Sequence, residues 1–369
     1  MTNSDLTVQE LEKRLGRRNR KVLIGTVLLS GLFILAAALL LWVTVGKVME
    51  AEDELDRVKT RLRDLAPQAS RPPPLTSASF SPDSKYLVTA GKLGASVWDW
   101  IGPPQSKGTP QPQLIVQLPV REPAPVTSAF FNQDGSLIVT ASGNIVARVW
   151  DWKRKPQPRT IAQLRHPAEV TSAAFSPDGK LVVTTSKNGI ARVWDWKRKP
   201  EPRTIAQLRH PAEVTSAAFS PDGRLVVTVD VRRAVRVWEW KARQVPPFQL
   251  PEWVAALSAS FSPDGKLVVT AGADSKARIW DWQERKLVAP LAGHSSQVTS
   301  AAFSPDGKLV VTASADHVAR VWDWKAGEFV ELEHPAVVTS AAFSSDGRFV
   351  LTACLDGDAR IYGPKEALG

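Results

Sequence analysis

Seven phenylalanines set the frame of this chain: Phe80, Phe131, Phe175, Phe219, Phe261, Phe303 and Phe343 stand 51, 44, 44, 42, 42 and 40 residues apart. Each is followed 18 or 19 residues later by an aromatic, in turn Trp98, Trp150, Trp194, Trp238, Trp280, Trp322 and Tyr362. A unit of this length cannot cover its own two faces, so the copies have to bury them against one another. In the copy at 298–324, "VTSAAF", "KLVVTAS" and "ARVWDW" have the Val, Thr and aromatic content of short strands, and the Asp-Gly of "SPDG" supplies the positive φ of a hairpin turn. "RTIAQLR" and "EFVELE" read as a fourth strand, and no window beyond residue 72 has a helical period. The expectation is an all-β domain over 75–369, a propeller of seven four-stranded blades.

Twelve of the fourteen tryptophans fall in six Trp-x-Trp pairs, which ties the aromatic content to the repeat rather than to a site. "VWDWKRKPQPRTIAQLRHPAEV" at 149–170 returns at 193–214 with Gln157 replaced by Glu201, as a duplicated blade junction would. The unit "FSPDGKLVVTASADHVARVWDW" resembles a WD repeat, and the resemblance extends through seven copies from about 75 to 362. It implies a seven-bladed propeller that serves as a platform for other proteins. It also implies a buried network in each blade, joining a His before the first strand, a second-strand hydroxyl, an Asp in the next turn and the third-strand Trp. His294, Asp316 and Trp322 fit that pattern, and His334 with Asp356 fits it with Tyr362 in place of Trp. His166 and His210 instead face Asn188 and Arg232, and Asp274 has Glu252 where His would stand, so those blades are expected to lean on apolar packing. Such a ring usually closes by pairing strands from both chain ends. Here the last copy stops at "RIYGPKEALG" and the first follows "PQASRPPP", so side-chain packing is expected to hold the first and last blades together.

The reactive-looking residues follow the repeat. Four of the five histidines stand four residues before the Val that opens a copy, which favours a structural role, and His317 lies in a turn at the surface. The Asp of each "SPD" is placed to bond local backbone, and the Trp-Asp carboxylates are spread around the ring instead of converging. Cys354 is the only cysteine, so neither an intrachain disulfide nor a thiolate cage is possible. There is no phosphate-cradling Gly loop, His-Glu-x-x-His or elbow serine, and the small residues of "VTSAAF" suit the channel wall. A non-catalytic protein without catalytic residues, metal or cofactor is the expectation.

Residues 22–46 (VLIGTVLLSGLFILAAALLLWVTVG) carry no charge and exceed what a bilayer core requires at about 1.5 Å per helical residue, so a transmembrane helix is expected after a basic tail at 1–21. The run is too long for a cleaved signal peptide and lacks its small-residue cleavage site. Six basic residues crowd its N-terminal flank, which favours a cytoplasmic N-terminus and an extracytoplasmic propeller, with a cytoplasmic propeller as the alternative. Over 47–65, Val48, Ala51, Leu55, Val58, Leu62 and Leu65 follow a heptad pattern, read as a helical stalk that either dimerises as a short coiled coil or lies as a single amphipathic helix. Prolines 72–74 end that helix, which puts a linker at 66–74.

Partner contacts are expected on the two rims. The loops between second and third strands differ from blade to blade and carry Lys92, Lys187, Arg232, Arg233 and Lys276, with Trp253 in a neighbouring loop, and Arg and Trp are favoured interface anchors. The opposite rim carries Lys153, Arg154 and Lys155 with their copies Lys197, Arg198 and Lys199, a basic arc for anionic lipid or an acidic partner. Of the net charge of +10, only +7 belongs to 72–369, too diffuse for a dedicated nucleic-acid binder. The functional expectation is a membrane-anchored scaffold for protein–protein interaction. Its alternatives are a receptor or enzyme with a site in the central pocket and, more weakly, a binder of anionic lipid or nucleic acid.

Overall fold

The computed structural model describes residues 72–100, 112–119, 124–242, 247–251 and 255–363. The apolar run 22–46, the stalk 47–65, residues 66–71 of the linker and Trp253 lie outside the described residues. Among those described, no helix is long and apolar enough to cross a membrane.

The described residues form seven antiparallel sheets, each taking its strands in chain order. Blade 1 holds β1 (Leu75–Phe80), β2 (Tyr86–Gly91), β3 (Gly94–Asp99) and β4 (Gln113–Leu118), and blade 2 holds β5 (Val126–Phe131), β6 (Leu137–Ser142), β7 (Val146–Asp151) and β8 (Arg159–Arg165). Blade 3 holds β9 (Val170–Phe175), β10 (Leu181–Ser186), β11 (Ile190–Asp195) and β12 (Arg203–Arg209), and blade 4 holds β13 (Val214–Phe219), β14 (Val226–Asp230), β15 (Val235–Trp238) and β16 (Phe248–Gln249). Blade 5 holds β17 (Ala256–Phe261), β18 (Leu267–Gly272), β19 (Lys276–Asp281) and β20 (Lys286–Ala292), and blade 6 holds β21 (Val298–Phe303), β22 (Leu309–Ser314), β23 (Val318–Asp323) and β24 (Glu328–Glu333). Blade 7 has three described strands, β25 (Val338–Phe343), β26 (Val350–Cys354) and β27 (Ala359–Tyr362). Successive first strands touch, and β25 returns to touch β1, so the seven blades form a closed propeller.

Local chemistry makes each hairpin. In blade 6 the Ser304 amide donates to the Leu309 carbonyl at 2.9 Å, Gly307 turns the chain at φ 71°, and Asp306 accepts the Lys308 amide at 3.0 Å. The turn carboxylate is thus a local backbone acceptor, as its position in "SPDG" implies. The core is built between blades. Val311, Ala313, Ala319, Val321 and Leu332 of blade 6 pack on Val338, Ala341 and Val350 of blade 7. The outer strands alternate in exposure, and each described one up to blade 6 or the loop after it drives a buried leucine, such as Leu164, Leu291 or Leu332, against the following blade.

Closure uses the same stitches as the junction of blades 6 and 7. The Thr339 hydroxyl donates to the Leu75 carbonyl at 3.1 Å as Thr299 does to Val338 at 2.7 Å, and the Ala78 amide donates to Ser340 Oγ at 3.2 Å as Ala341 does to Ser300 Oγ at 3.1 Å. Trp100 packs edge-on to Phe349 with ring centres 4.9 Å apart. No fourth strand pairs with β27 among the described residues, and a cleft of about 390 Å³ lined by Leu87, Thr89, Trp98, Ala359 and Arg360 lies where the other blades insert their leucine. Among the described residues, side-chain packing and side-chain hydrogen bonds carry this junction. Gly357 lies at φ +93° against the Pro72 backbone, and a Cβ there would overlap the Pro72 carbonyl. Gly357→Ala is expected to cost about 1–3 kcal/mol through strain and displacement of that segment. Urea denaturation of the full chain checks this, with amide exchange rising first in β1 and β27; an unchanged midpoint would contradict it.

Candidate docking rim

In blades 1 to 6 the third-strand Trp is bonded to the second-strand Thr. Trp150 donates to Thr140 Oγ1 at 2.9 Å, Trp194 to Thr184 at 2.7 Å, Trp280 to Thr270 at 3.0 Å and Trp322 to Thr312 at 2.9 Å. Blade 6 completes the network: His294 Nδ1 meets Asp316 Oδ2 at 2.8 Å and its Nε2 meets Thr312 Oγ1 at 2.8 Å. Burial pushes the His294 pKa down against the opposing pull of Asp316, so the ring is neutral and donates from Nδ1 to the carboxylate. His334 meets Thr352 Oγ1 at 2.8 Å and Tyr362 Oη at 3.1 Å, so tyrosine does replace tryptophan. Its Nδ1, however, faces the Leu332 carbonyl at 2.8 Å, and Asp356 binds Arg360 at 2.6 Å instead of the histidine.

Two of the three blades that looked incomplete found other partners, and Glu252 of the third lies outside the described residues. In blade 4, Asp230 at the end of β14 lies 3.4 Å from His210 Nδ1 and 2.5 Å from Arg236 Nη1, supplying the carboxylate that Arg232 does not. In blade 3, His166 Nε2 meets Thr184 Oγ1 at 2.9 Å and its Nδ1 accepts from Arg192 Nη1 at 3.2 Å. Burial and then the Arg192 charge lower the His166 pKa to about 3, so this ring carries its proton on Nε2, the opposite tautomer to His294. These histidines are scaffold. Cys354 is buried with Sγ 3.2 Å from the Ala336 carbonyl, and among the described residues no three His, Cys, Asp or Glu side chains are grouped to hold a metal.

Ser79 Oγ donates to the Ala129 carbonyl at 3.2 Å and Ser260 Oγ to Ala301 at 3.1 Å, so these hydroxyls link neighbouring blades.

The turns between second and third strands share a rim with the segments that enter the next blade: a Cβ on Gly189 would meet the His210 and Ala212 carbonyls. Lys92, Arg232, Arg233 and Lys276 are exposed there. Lys187 is tied to Glu169 at 2.5 Å, an ion pair that occupies it. Residue-level reading passed over the apolar members of the same turns. Leu93 is 68% exposed, Ile145 48%, Val231 49% and Leu355 42%, and their signal in the sequence is an aliphatic side chain where a turn favours Gly, Asn, Asp or Ser. The geometry adds a second mark. The αL position held by Gly189 and Gly357 in blades 3 and 7 is held by Arg233 at φ 67°, Ser275 at 65° and His317 at 71° in blades 4, 5 and 6. A non-glycine residue in that region costs of order 1 kcal/mol and is a pointer to function.

On the opposite rim the second Trp of each pair ties the outer loop to the hairpin turn, Trp152 donating to the Gly135 carbonyl at 3.1 Å and Trp196 to Gly179 at 3.1 Å. Lys153 lies over the Trp152 ring at 5.2 Å and Lys197 over Trp196 at 5.2 Å, while Arg154, Lys155, Arg198 and Lys199 are exposed. The basic arc is therefore present in two copies, with its lysines at 153 and 197 stacked on tryptophan.

A ring of seven blades, six tied by Trp to Thr and four opened by a His segment, defines a WD-repeat propeller. The family model described as WD domain, G-beta repeat, matches residues 117–151, 159–195, 203–239, 249–281, 285–323 and 328–363, and the chain belongs to that family. Each match runs from the outer strand of one blade, or the residues beside it, through the third strand of the next, so blade 1 forms a seventh unit beyond the six matches. Propellers of this family generally bind other proteins. No curated protein matches the chain.

Proposed function

We propose that the chain is a single-pass membrane protein whose propeller is a non-catalytic docking platform. Residues 22–46 anchor it, 47–65 form a stalk able to pair two copies, and the ring displays its rim turns to protein partners. The charge asymmetry across the apolar run favours a cytoplasmic N-terminus and an extracytoplasmic propeller. The observation that carries the docking role is the rim itself, where exposed Leu93, Ile145, Val231 and Leu355 accompany Arg232 and Arg233, with Arg233 held in left-handed backbone. Exposed aliphatic side chains and arginine anchors on one rim are what a protein interface uses. Inner-strand hydroxyls bonded to neighbouring carbonyls favour docking over a reactive central pocket.

Proximity labelling from a tag on the propeller, combined with protease access to that domain in intact cells, tests neighbours and side together. Labelling confined to cytosolic proteins would overturn the topology. For the rim, Arg232→Ala with Arg233→Gly is expected to lower labelling of the major partner about tenfold. The same change should leave stability unchanged or raise it by about 1 kcal/mol, since glycine relaxes the positive φ. Undiminished labelling by a stably folded variant would remove this rim from the account.

A further inference from the structure

The third strands of blades 2 to 7 each carry an arginine two residues before the central Trp or Tyr, namely Arg148, Arg192, Arg236, Arg278, Arg320 and Arg360, and the last four meet a carboxylate. Arg236 meets Asp230 at 2.5 Å, Arg278 meets Asp274, Arg360 meets Asp356 at 2.6 Å, and Arg320 places Nε and Nη2 at 2.9 and 2.6 Å from Glu331 Oε1. Arg192 differs. It is 7% exposed, and its Nη1 donates to His166 Nδ1 and, at 3.4 Å, to Ser186 Oγ, both uncharged groups.

Blade 6 defines what blade 3 lacks. The pairing of β11 with β12 sets Arg192 opposite Gln207, as that of β23 with β24 sets Arg320 opposite Glu331. Arg320 is also 7% exposed, yet Glu331 reaches it from the outer strand with its own side chain 44% exposed, so the slot opens to solvent on that side. In blade 3 the Gln207 Oε1 is taken by Arg209 Nη2 at 3.0 Å, and Arg203 and Arg209 are exposed on a strand without an acidic residue. The outer strand of blade 6, by contrast, has Glu328, Glu331 and Glu333. Glu169, which leads into blade 3, is engaged by Lys187. Burial and then the charge of Arg209 weaken the hold of Arg192 on its proton, the signature of a cation short of a counter-charge.

We propose that the outward edge of the Arg192 guanidinium, flanked by Arg209 and Gln207, is a receptor for a carboxylate on an acidic segment of a protein partner. That carboxylate takes the place Glu331 holds for Arg320, and arginine's planar fork suits it. This rests on the docking function proposed above and names a partner chemistry for one blade.

The test uses the full chain in detergent micelles and a fluorescein-labelled hexaglutamate peptide followed by anisotropy. Gln207→Glu supplies the carboxylate in cis. It is expected to weaken peptide binding about tenfold while raising the thermal midpoint, the opposite of a structural defect. Gln283→Glu, an equal charge change in an exposed turn of blade 5, should leave binding within about twofold because a distant surface charge is screened. No peptide binding by the wild type, or equal loss in both variants, would overturn the proposal. If the peptide result is negative while the Arg232 and Arg233 variant still loses its partner, the carboxylate site fails and the docking function stands.

Discussion

Trp280→Ala will be among the most damaging single changes in the propeller, lowering stability by about 3–5 kcal/mol. Trp280 is 1% exposed and is wedged between Val227, Val229, Val237 and Leu250 of blade 4 and Val268 of its own blade, so its removal opens a void at a blade junction. It also strips Thr270 of the indole donor at 3.0 Å. Trp282 provides the contrast. It is half-buried and holds a hairpin turn through the Gly265 carbonyl at 3.0 Å, so alanine there should cost about 1–2 kcal/mol. Urea midpoints of the two variants decide the matter, and amide exchange should open β13–β20 first in Trp280→Ala. Equal losses in the two variants would mean that the Trp280 junction is not the main seam of the ring.

Acidification should weaken the fold well above the range in which carboxylates titrate. The ordinary histidine pKa is 6.5; burial and Arg192 lower that of His166 to about 3, and burial and Arg236, against Asp230, lower that of His210 to about 4. Below pH 6.5 the unfolded chain therefore takes up protons that the folded chain refuses. The stability from the neutral rings is complete above 6.5 and is lost as pH falls from there toward 3 to 4. At pH 5 each of the two costs about 2 kcal/mol relative to neutral pH. His294 and His334, also shifted down by burial, act in the same direction. Urea midpoints at pH 7.5, 6 and 5 should fall steadily, and His166→Gln should flatten the slope. A level profile across that range would mean that the histidines take up protons alike in the folded ring and the unfolded chain.

The blade was legible because its spacing recurs seven times, and the hairpins, third-strand aromatics and inner-strand small residues all sit where the repeat placed them. What escaped was chemistry that leaves the register. Asp230 occupies the last position of β14, where blades 3 and 6 have Ser186 and Ser314, so a position-by-position reading looked for its carboxylate two residues later at Arg232. His334 turns to a backbone carbonyl because Arg360 claims Asp356. Lys187 was read as a free rim charge because Glu169 lies before β9, on the far side of two strands in sequence but beside it in the blade. Only the fold reveals which of the third-strand arginines face a carboxylate. Leu93, Ile145, Val231 and Leu355 were overlooked because each is ordinary alone; sharing a rim is what gives them meaning.

The docking platform is tested most directly by photocrosslinking in the native membrane. Benzoylphenylalanine replaces Val231 or Arg233 on one rim, and Arg154 or Arg198 on the other, in the full chain. Discrete protein adducts from 231 and 233 are the predicted result. No protein adducts from 231 and 233, with adducts from 154 and 198 alone, would contradict the assignment of that rim as the partner surface.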